Sequence, residues 1–263
     1  MTALHTNKYF KHSKLVLVIG FFFSFPSISE DNNNTHWTLD MGVGSIISPE
    51  YMGSSSYKAR VIPYIDIRYG ERFFLNVPQG VGGYLVKYGN PGFGYEFGGS
   101  IAPNFQNRDA EDFPGLPDIS MAVEARLFGS FKLYGFSLNA IAAKDIASGH
   151  EGAYLDLNLG FGLRLDEDIF NVSIGTRLAD QSYMNSFYQI RPENTQASGL
   201  MAYTPDSNLE KYTASLFYLK KLSDKWRLSL IANANFLQKG AKLSPIVDKN
   251  NSFTVISALT YRF

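Results

Sequence analysis

The sequence contains no cysteine, which excludes disulfide bridges and thiolate metal sites. Neither sign of charge is in excess, since 24 basic residues balance 24 acidic ones, so nothing favours nucleic acid as a partner. Histidine is scarce: beyond the N-terminal segment only His36 and His150 remain, far apart in the chain. A histidine-based hydrolase is therefore unsupported, and we expect neither an enzyme nor a bound cofactor.

Clustered metal ligands are also missing from the sequence. Asp109, Glu111 and Asp112 are close enough for a loose calcium site, but the ligand spacing of a calcium-binding loop is absent. A solvated acidic loop explains the three carboxylates more simply. We therefore predict no metal site.

Long apolar runs are confined to the N-terminus. Three lysines precede an apolar run at 15–25, followed by small residues, which is the pattern of a secretory signal peptide. The run is shorter than the roughly 20 residues that a membrane-spanning anchor needs. We predict a cleaved signal peptide at 1–29 and an exported domain at 30–263, with no later apolar run long enough for a membrane helix.

What the sequence does have is aromatic residues (15%), 23 glycines and long stretches of alternating polarity. In 152–165 every second residue is apolar, and the residues between them are polar or glycine. Similar runs occur at 36–44, 169–178, 226–236 and 252–263. Ordinary strands average about five or six residues, whereas a tilted strand crossing a bilayer needs about 9–11. The alternation therefore favours transmembrane strands.

Extending this rule predicts an all-β fold, an antiparallel up-and-down transmembrane β-barrel in the bacterial outer membrane. The predicted strands lie near 36–44, 57–68, 71–77, 80–88, 92–101, 119–129, 131–141, 152–165, 168–178, 210–220, 226–236 and 252–263. Short and long connections alternate between them, as expected for periplasmic turns and extracellular loops. The short link at 78–79 breaks this rule, so ten strands is the alternative to twelve.

A soluble β-sandwich or a lipocalin-like barrel would show the same alternation, with its apolar faces in the core. Strand length, loop asymmetry and the export signal favour the membrane barrel, with lipid around it. Tyr261 and the terminal Phe263 agree, and we interpret them as a signal for the outer-membrane assembly machinery.

Charged residues are expected on the face that points into the barrel. The predicted lumen-facing charges are Asp40, Arg60, Asp66, Arg68, Glu96, Glu124, Arg126, Asp156, Arg164, Arg177 and Arg227. They could line a selective pore or form ion pairs that fill the interior, and the intermediate width of a twelve-stranded barrel favours filling. On the apolar faces we predict Lys87, Lys132 and Lys220, near the periplasmic ends, where their stems can snorkel.

Five stretches resemble the MltA-interacting protein (MipA)/OmpV family of outer-membrane proteins. They are "SPEYMGS" (48–54), "PYIDIRYGERFFL" (63–75), "ASGLMAY" (197–203), "LSPIV" (243–247) and "LTYRF" (259–263). The loop residues that carry the resemblance are Tyr51, Gly53, Ser54, Ser198, Gly199, Leu200, Tyr203, Ser244 and Pro245. Met201 stands where we expect the family to favour proline.

The resemblance implies a non-enzymatic scaffold that joins a murein lytic transglycosylase to a penicillin-binding murein synthase. Two alternatives stay open on the sequence. A charged lumen could make the protein a diffusion channel for small solutes. The long predicted loop at 179–209, whose stretch 182–208 is rich in Tyr, Ser and Asn, could make it a surface adhesin. This loop lies either outside the barrel or folded into the lumen as a plug.

Overall fold

The computed structural model describes residues 36–90, 92–108 and 113–263. The predicted signal peptide at 1–29 lies outside these residues, as do Asp109, Glu111 and Asp112. In the described part of the chain, no helix has the length and apolar character that spanning a bilayer would require.

The described chain forms a closed barrel of twelve antiparallel strands, which confirms the predicted fold class and strand number. The strands are β1 Trp37–Pro49, β2 Tyr57–Tyr69, β3 Phe73–Asn76, β4 Gly80–Asn90, β5 Phe93–Asn104, β6 Ala122–Leu133, β7 Phe136–Asp145, β8 Ala153–Leu165, β9 Asp168–Ala179, β10 Leu209–Lys221, β11 Trp226–Leu237 and β12 Asn251–Arg262. Each pairs with its neighbours in the chain, and β1 pairs with β12 to close the barrel. Closure leaves no continuous free sheet edge around the barrel.

Alternation along each strand produces an apolar outer surface and a polar interior. Val61 (71% exposed) and Ile174 (65% exposed) project outward, whereas Glu124 and Arg126 on β6 are buried. Apolar side chains on the outside suit lipid. The backbone also tolerates lipid, because paired strands satisfy one another's hydrogen bonds. The barrel therefore has an outer surface that suits lipid and an enclosed polar interior.

Long loops collect at one end of the barrel and short turns at the other, as predicted. Among the described residues, the loop end carries three short helices, α1 Gln181–Tyr188, α2 Thr195–Ser198 and α3 Lys239–Lys242, and a 3₁₀ turn at Pro192–Asn194. The short link predicted at 78–79 is confirmed. Strand β3 has only four residues, so the link between β3 and β4 is short, although this link lies toward the loop end. By the usual orientation of such barrels, the turn end faces the periplasm.

The predicted strands 119–129 and 131–141 place a tight turn at Ser130, and this prediction is wrong. Strand β6 continues through Leu133, and the chain turns at Tyr134 and Gly135, which both have positive φ (44° and 88°). Lys132 thereby shares the interior face with Arg126, not the lipid face. The tight turn needs a residue such as glycine in the left-handed region, which Gly135 supplies.

The lipid-facing position predicted for Lys87 is also wrong. The pairing of β4 with β5 shifts by one residue between Tyr84 and Val86, a β-bulge that reverses the alternation beyond it. Lys87 consequently lies opposite Glu96, on the interior side. Of the three lysines predicted on the lipid face, Lys220 keeps that position on the exposed side of β10.

Candidate functional site

The extracellular half of the barrel interior is occupied by α1, from the loop between β9 and β10. Asp180 caps this helix, since its side chain accepts a hydrogen bond from the Tyr183 amide at 2.8 Å. The helix buries Tyr183, Met184, Phe187 and Tyr188 almost completely. These four side chains pack with residues of β8, β9 and α3, so the helix acts as a plug.

Arg177 of β9 is the first anchor of the plug. Its guanidinium makes two 2.7 Å hydrogen bonds to Asp156 on β8 and donates a third, 3.0 Å long, to the Tyr183 hydroxyl. The same guanidinium lies 3.8 Å from the ring centroid of Tyr154. One buried arginine therefore joins the barrel wall to the helix.

Glu210, at the start of β10, is the second anchor. The Tyr188 hydroxyl donates to Glu210 Oε1 at 2.6 Å, and the Tyr183 hydroxyl lies 3.4 Å from the same oxygen. Burial, and next the negative charge of Glu210, raise the pKa of Tyr183 and Tyr188 well above the ordinary value. Both phenols therefore stay protonated and remain donors.

Glu124 of β6 organises a second buried network beside the plug. Arg126 donates to it at 2.8 Å, Asn104 at 2.6 Å and the Tyr154 hydroxyl at 2.9 Å. His150 Nε2 lies 3.2 Å from Glu124 Oε1. Because both partners are fully buried, removing one side of the network would leave an uncompensated charge.

The ring of His150 is held by hydrogen bonds on both of its nitrogens. Its Nδ1 accepts a hydrogen bond from the Gly152 amide at 3.1 Å, which assigns the proton to Nε2 and directs it at Glu124. Neither ring nitrogen is then available as a general base. His36 lies at the opposite end of the barrel, where its carbonyl accepts from the Gly70 amide. Among the described residues, no group of three or more His, Asp or Glu side chains could hold a metal ion.

Arg108, in the loop between β5 and β6, was not predicted as a site residue but fixes the end of α1. Its guanidinium donates to the carbonyl oxygens of Phe187 at 2.9 Å and Pro117 at 3.2 Å. Burial lowers the pKa of Arg108 to about 10, so it stays charged at neutral pH. A cation at the carbonyl end of a helix is favourable. Sequence alternation could not identify it because it lies in a loop.

The loop residues that carry the family resemblance meet in a cap above the plug. Tyr51 donates to Asp248 at 3.1 Å, and the Asp248 amide donates to Gly53 at 2.9 Å. Gly53 has φ of 97° and packs against Val247, so a side chain there would clash. Ser54 closes a local turn by accepting from the Ser56 amide. The first and last long loops are thus joined.

The remaining motif residues complete the cap. Ser244 donates to the carbonyl of Tyr188 at 2.7 Å, which ties the last loop to α1, and Pro245 follows it. Gly199, with φ of 69°, ends α2, while Ser198 donates to Asn194. Leu200 and Tyr203 pack on a small buried cluster that includes Ile190 and Ile246.

The charges near the turn end form the same two-pronged arginine–carboxylate pairs, but their arginines are more accessible to water than Arg177. Asp40 binds Arg262 through two 2.7 Å hydrogen bonds, with Arg227 at 3.5 Å. Arg68 binds Asp66 through two 3.0 Å hydrogen bonds.

Three other predicted lumen charges lie outside these pairs. Glu96 lies opposite Lys87, and Arg164 donates to the carbonyl of Asp166 in a turn. Arg60 lies toward the loop end, 3.4 Å from Ser48 Oγ. At the turn end, the ring of Tyr261 packs edge-on against Trp226 and Phe263.

Comparison with known proteins agrees with this architecture. The family model described as "MltA-interacting protein MipA" matches residues 41–263. Proteins named outer membrane protein YiaT, from Escherichia coli strain K12 and from O157:H7, are 22% identical over 133 residues, which cover 48% of this chain and 51% of theirs. The chain thus matches about half the length of these curated relatives.

Among solved structures, a Pseudomonas aeruginosa FadL homologue matches at 10% sequence identity. The match covers 86% of this chain and 89% of that one, with a TM-score of 0.33.

Proposed function

The chain belongs to the MltA-interacting protein MipA family, and from that premise we propose that it is an outer-membrane scaffold for murein-remodelling enzymes. The partners would be a lytic transglycosylase and a penicillin-binding murein synthase. The barrel would supply an anchor and a docking surface and take no part in the chemistry.

The observation that carries this proposal is the filled interior. An open channel needs a continuous water path, but α1 places Tyr183, Met184, Phe187 and Tyr188 in the extracellular half of the lumen. Buried hydrogen bonds to Arg177 and Glu210 hold the helix there. A sealed barrel is better suited to holding a partner than to passing solutes.

A periplasmic enzyme can reach the turn end of the barrel. The turn between β6 and β7 presents Tyr134 with 78% of its surface exposed, and Phe263 is 70% exposed. Exposed tyrosines are frequent energetic anchors of protein interfaces. We propose that the partner binds this rim, with Tyr134 as a contact residue.

A pull-down experiment tests the proposal. The mature protein, solubilised in detergent, is immobilised and incubated with periplasmic extract, and retained lytic transglycosylase and penicillin-binding proteins are identified by mass spectrometry. Tyr134→Ser should reduce their retention by at least about tenfold if this side chain is a binding hot spot.

Met201→Ser is the matched control, because Met201 is also 78% exposed but lies in a loop at the extracellular end. It should leave retention unchanged. Failure of the unmodified barrel to retain any murein enzyme would count against the scaffold. An equal loss of retention with both variants would mean that the docking surface is not the periplasmic rim.

A further inference from the structure

The outer wall of the barrel carries a depression between β7 and β12, with a volume of about 640 Å³. Six consecutive strands supply its lining, which is almost entirely apolar. A volume of about 300–1,000 Å³ is typical of sites that bind small molecules. The depression is therefore large enough for a ligand.

Two parallel rows of outward-facing side chains form the sides of this depression. In the first row Ile174 lies opposite Ala214, which lies opposite Ala234. Ala234 in turn lies opposite Phe253. Opposed residues in antiparallel strands share a face, and Ile174 and Phe253 are 65% and 55% exposed, so the whole row faces outward.

The second row runs two residues closer to the turn end. It passes from Val172 through Leu216 and Ala232 to Val255, each opposite the next. Two residues along a strand correspond to about 6.7 Å, which sets the distance between the two rows. Because alanine carries only one methyl group, the alanines of the two rows make the space between them widest on β10 and β11.

The floor of the depression is backbone. Ser215, Asn233 and Thr254 lie between the two rows, but their side chains point into the barrel, where they are 8%, 2% and 5% exposed. Strand pairing satisfies the backbone hydrogen bonds of the floor. A polar ligand would thus find no hydrogen-bonding partner here, so the chemistry of the depression selects hydrocarbon.

The width of the depression favours a lipid chain over a protein segment. A transmembrane helix is about 10–12 Å in diameter, so it would rest across the two rows and not enter the space between them. An extended strand would leave its own backbone hydrogen bonds unpaired in hydrocarbon. A single acyl chain has neither problem, because it is narrow and its methylenes carry no polar group.

The depression runs obliquely through the membrane and is widest in its outer half. One end is at Phe136, the first residue of β7 at the turn end, and the other is at Phe253, near the loop end of β12. Ala234 lies three residues before Leu237, which ends β11 at the loop end. Six strands give five spacings of about 4.8 Å, or about 24 Å, whereas one leaflet of the hydrocarbon core is about 15 Å thick. One chain from the outer leaflet can therefore lie along it.

We propose that this depression binds one acyl chain of a lipid in the outer leaflet of the outer membrane. A chain lying between the two rows contacts protein on three sides, whereas a chain on a flat part of the wall contacts it on one side. The bound lipid should therefore exchange more slowly than the lipids around it. This inference does not depend on the scaffold function, because it concerns the lipid-facing wall and not the periplasmic rim.

Native mass spectrometry of the full mature protein tests the site. The protein is freed of lipid by repeated exchange into fresh detergent and is then titrated with lipid A, the acylated glycolipid of the outer leaflet. The spectra count the lipid molecules bound to each barrel and also report any second copy of the chain. Binding of one lipid A molecule to the wild-type barrel should saturate before any further molecule binds.

Ala234→Phe should weaken this binding at least about tenfold, because the ring fills the widest part of the depression. Its matched control is Ala125→Phe. Ala125 also faces outward and lies three residues from the loop end of its own strand, β6, but it is outside the depression. The control should change the affinity less than about twofold.

Any of three binding results would overturn the proposal. They are the absence of a saturating lipid A site in the wild type, an unchanged affinity in Ala234→Phe, and an equal loss of affinity in both variants. A wild-type dimer that Ala234→Phe dissociates would assign the depression to a second copy of the chain and overturn the proposal as well. Unchanged mobility of the folded form on unheated gels serves as the folding control for each variant.

Discussion

Each half of the barrel interior contains an arginine–aspartate ion pair of the same geometry, but the two pairs differ in their exposure to water. Arg177 and Asp156 meet through two 2.7 Å hydrogen bonds with side-chain exposures of 4% and 13%. Arg262 and Asp40 meet with the same distances, but their exposures are 42% and 16%. Equal hydrogen-bond distances therefore do not imply an equal contribution to the free energy of unfolding. The inner pair, Arg177 and Asp156, holds the plug in place. The outer pair, Arg262 and Asp40, lies where water can compete for its hydrogen bonds.

The largest effect is expected at the inner pair. Arg177→Gln removes the cation that the partly buried Asp156 shares with the fully buried Glu210. Among the described residues, Glu210 then keeps only Lys211, 3.8 Å away, as a cationic partner. This change should lower the free energy of unfolding by about 3–5 kcal/mol. Urea titration of the folded barrel in detergent or lipid vesicles measures the change. A loss below about 1 kcal/mol would mean that water reaches this pair.

Glu124→Gln should have the next largest effect. The amide keeps the shape of the side chain but removes the charge that holds Arg126 and replaces one of the two acceptor oxygens with an NH₂ donor. We expect a loss of about 2–3 kcal/mol in the same urea titration. Glu71→Gln is the control, since Glu71 lies 3.8 Å from Lys87 and is 73% exposed. If both variants lost equal stability, burial would not be the cause.

The outer pair should contribute much less. Arg262→Gln removes a partly exposed partner of Asp40, and Arg227 remains nearby to compensate. The expected loss is at most about 1 kcal/mol, the value typical of exposed pairs. If Arg262→Gln cost as much as Arg177→Gln, the contrast between the two halves would be incorrect.

The smallest effect concerns alkaline pH. The pKa values of Tyr183 and Tyr188 are raised in the folded protein, while an unfolded tyrosine titrates near pH 10. Their contribution to stability is therefore fully present below about pH 10 and falls as the pH rises toward the folded pKa values. Tyrosinate absorbance at 295 nm should show a component that titrates well above pH 10.

The double variant Tyr183→Phe/Tyr188→Phe should show a smaller late component than the wild type, because two late-titrating phenols are removed. If instead the late component persisted unchanged in the variant, the two phenols of the plug would not be the source.

Alternation predicted the wall of this barrel well, because the apolar and polar residues within each strand mark its outer and inner faces. The twelve strands, their order along the chain and the inward direction of residues such as Arg177 and Asp156 follow from a period of two. Lys87 and Lys132 were misassigned because a bulge or a displaced turn shifts the count by one residue, which inverts the faces.

The plug could not be predicted by the same rule. Helix α1 carries its buried residues at 183, 184, 187 and 188, a helical spacing that follows the capping residue Asp180. That signal is present in the sequence but is only eight residues long. Its entry into the lumen depends on contacts with Glu210 and Arg108, which the local sequence does not reveal.

Planar-bilayer recording tests most directly whether α1 seals the barrel. The purified wild-type protein is compared with a variant in which residues 181–188 are replaced by glycine and serine. A sealed barrel predicts no conductance steps for the wild type and clear steps for the variant. Wild-type steps as large and as frequent as those of the variant would show that the lumen is open with its helix in place.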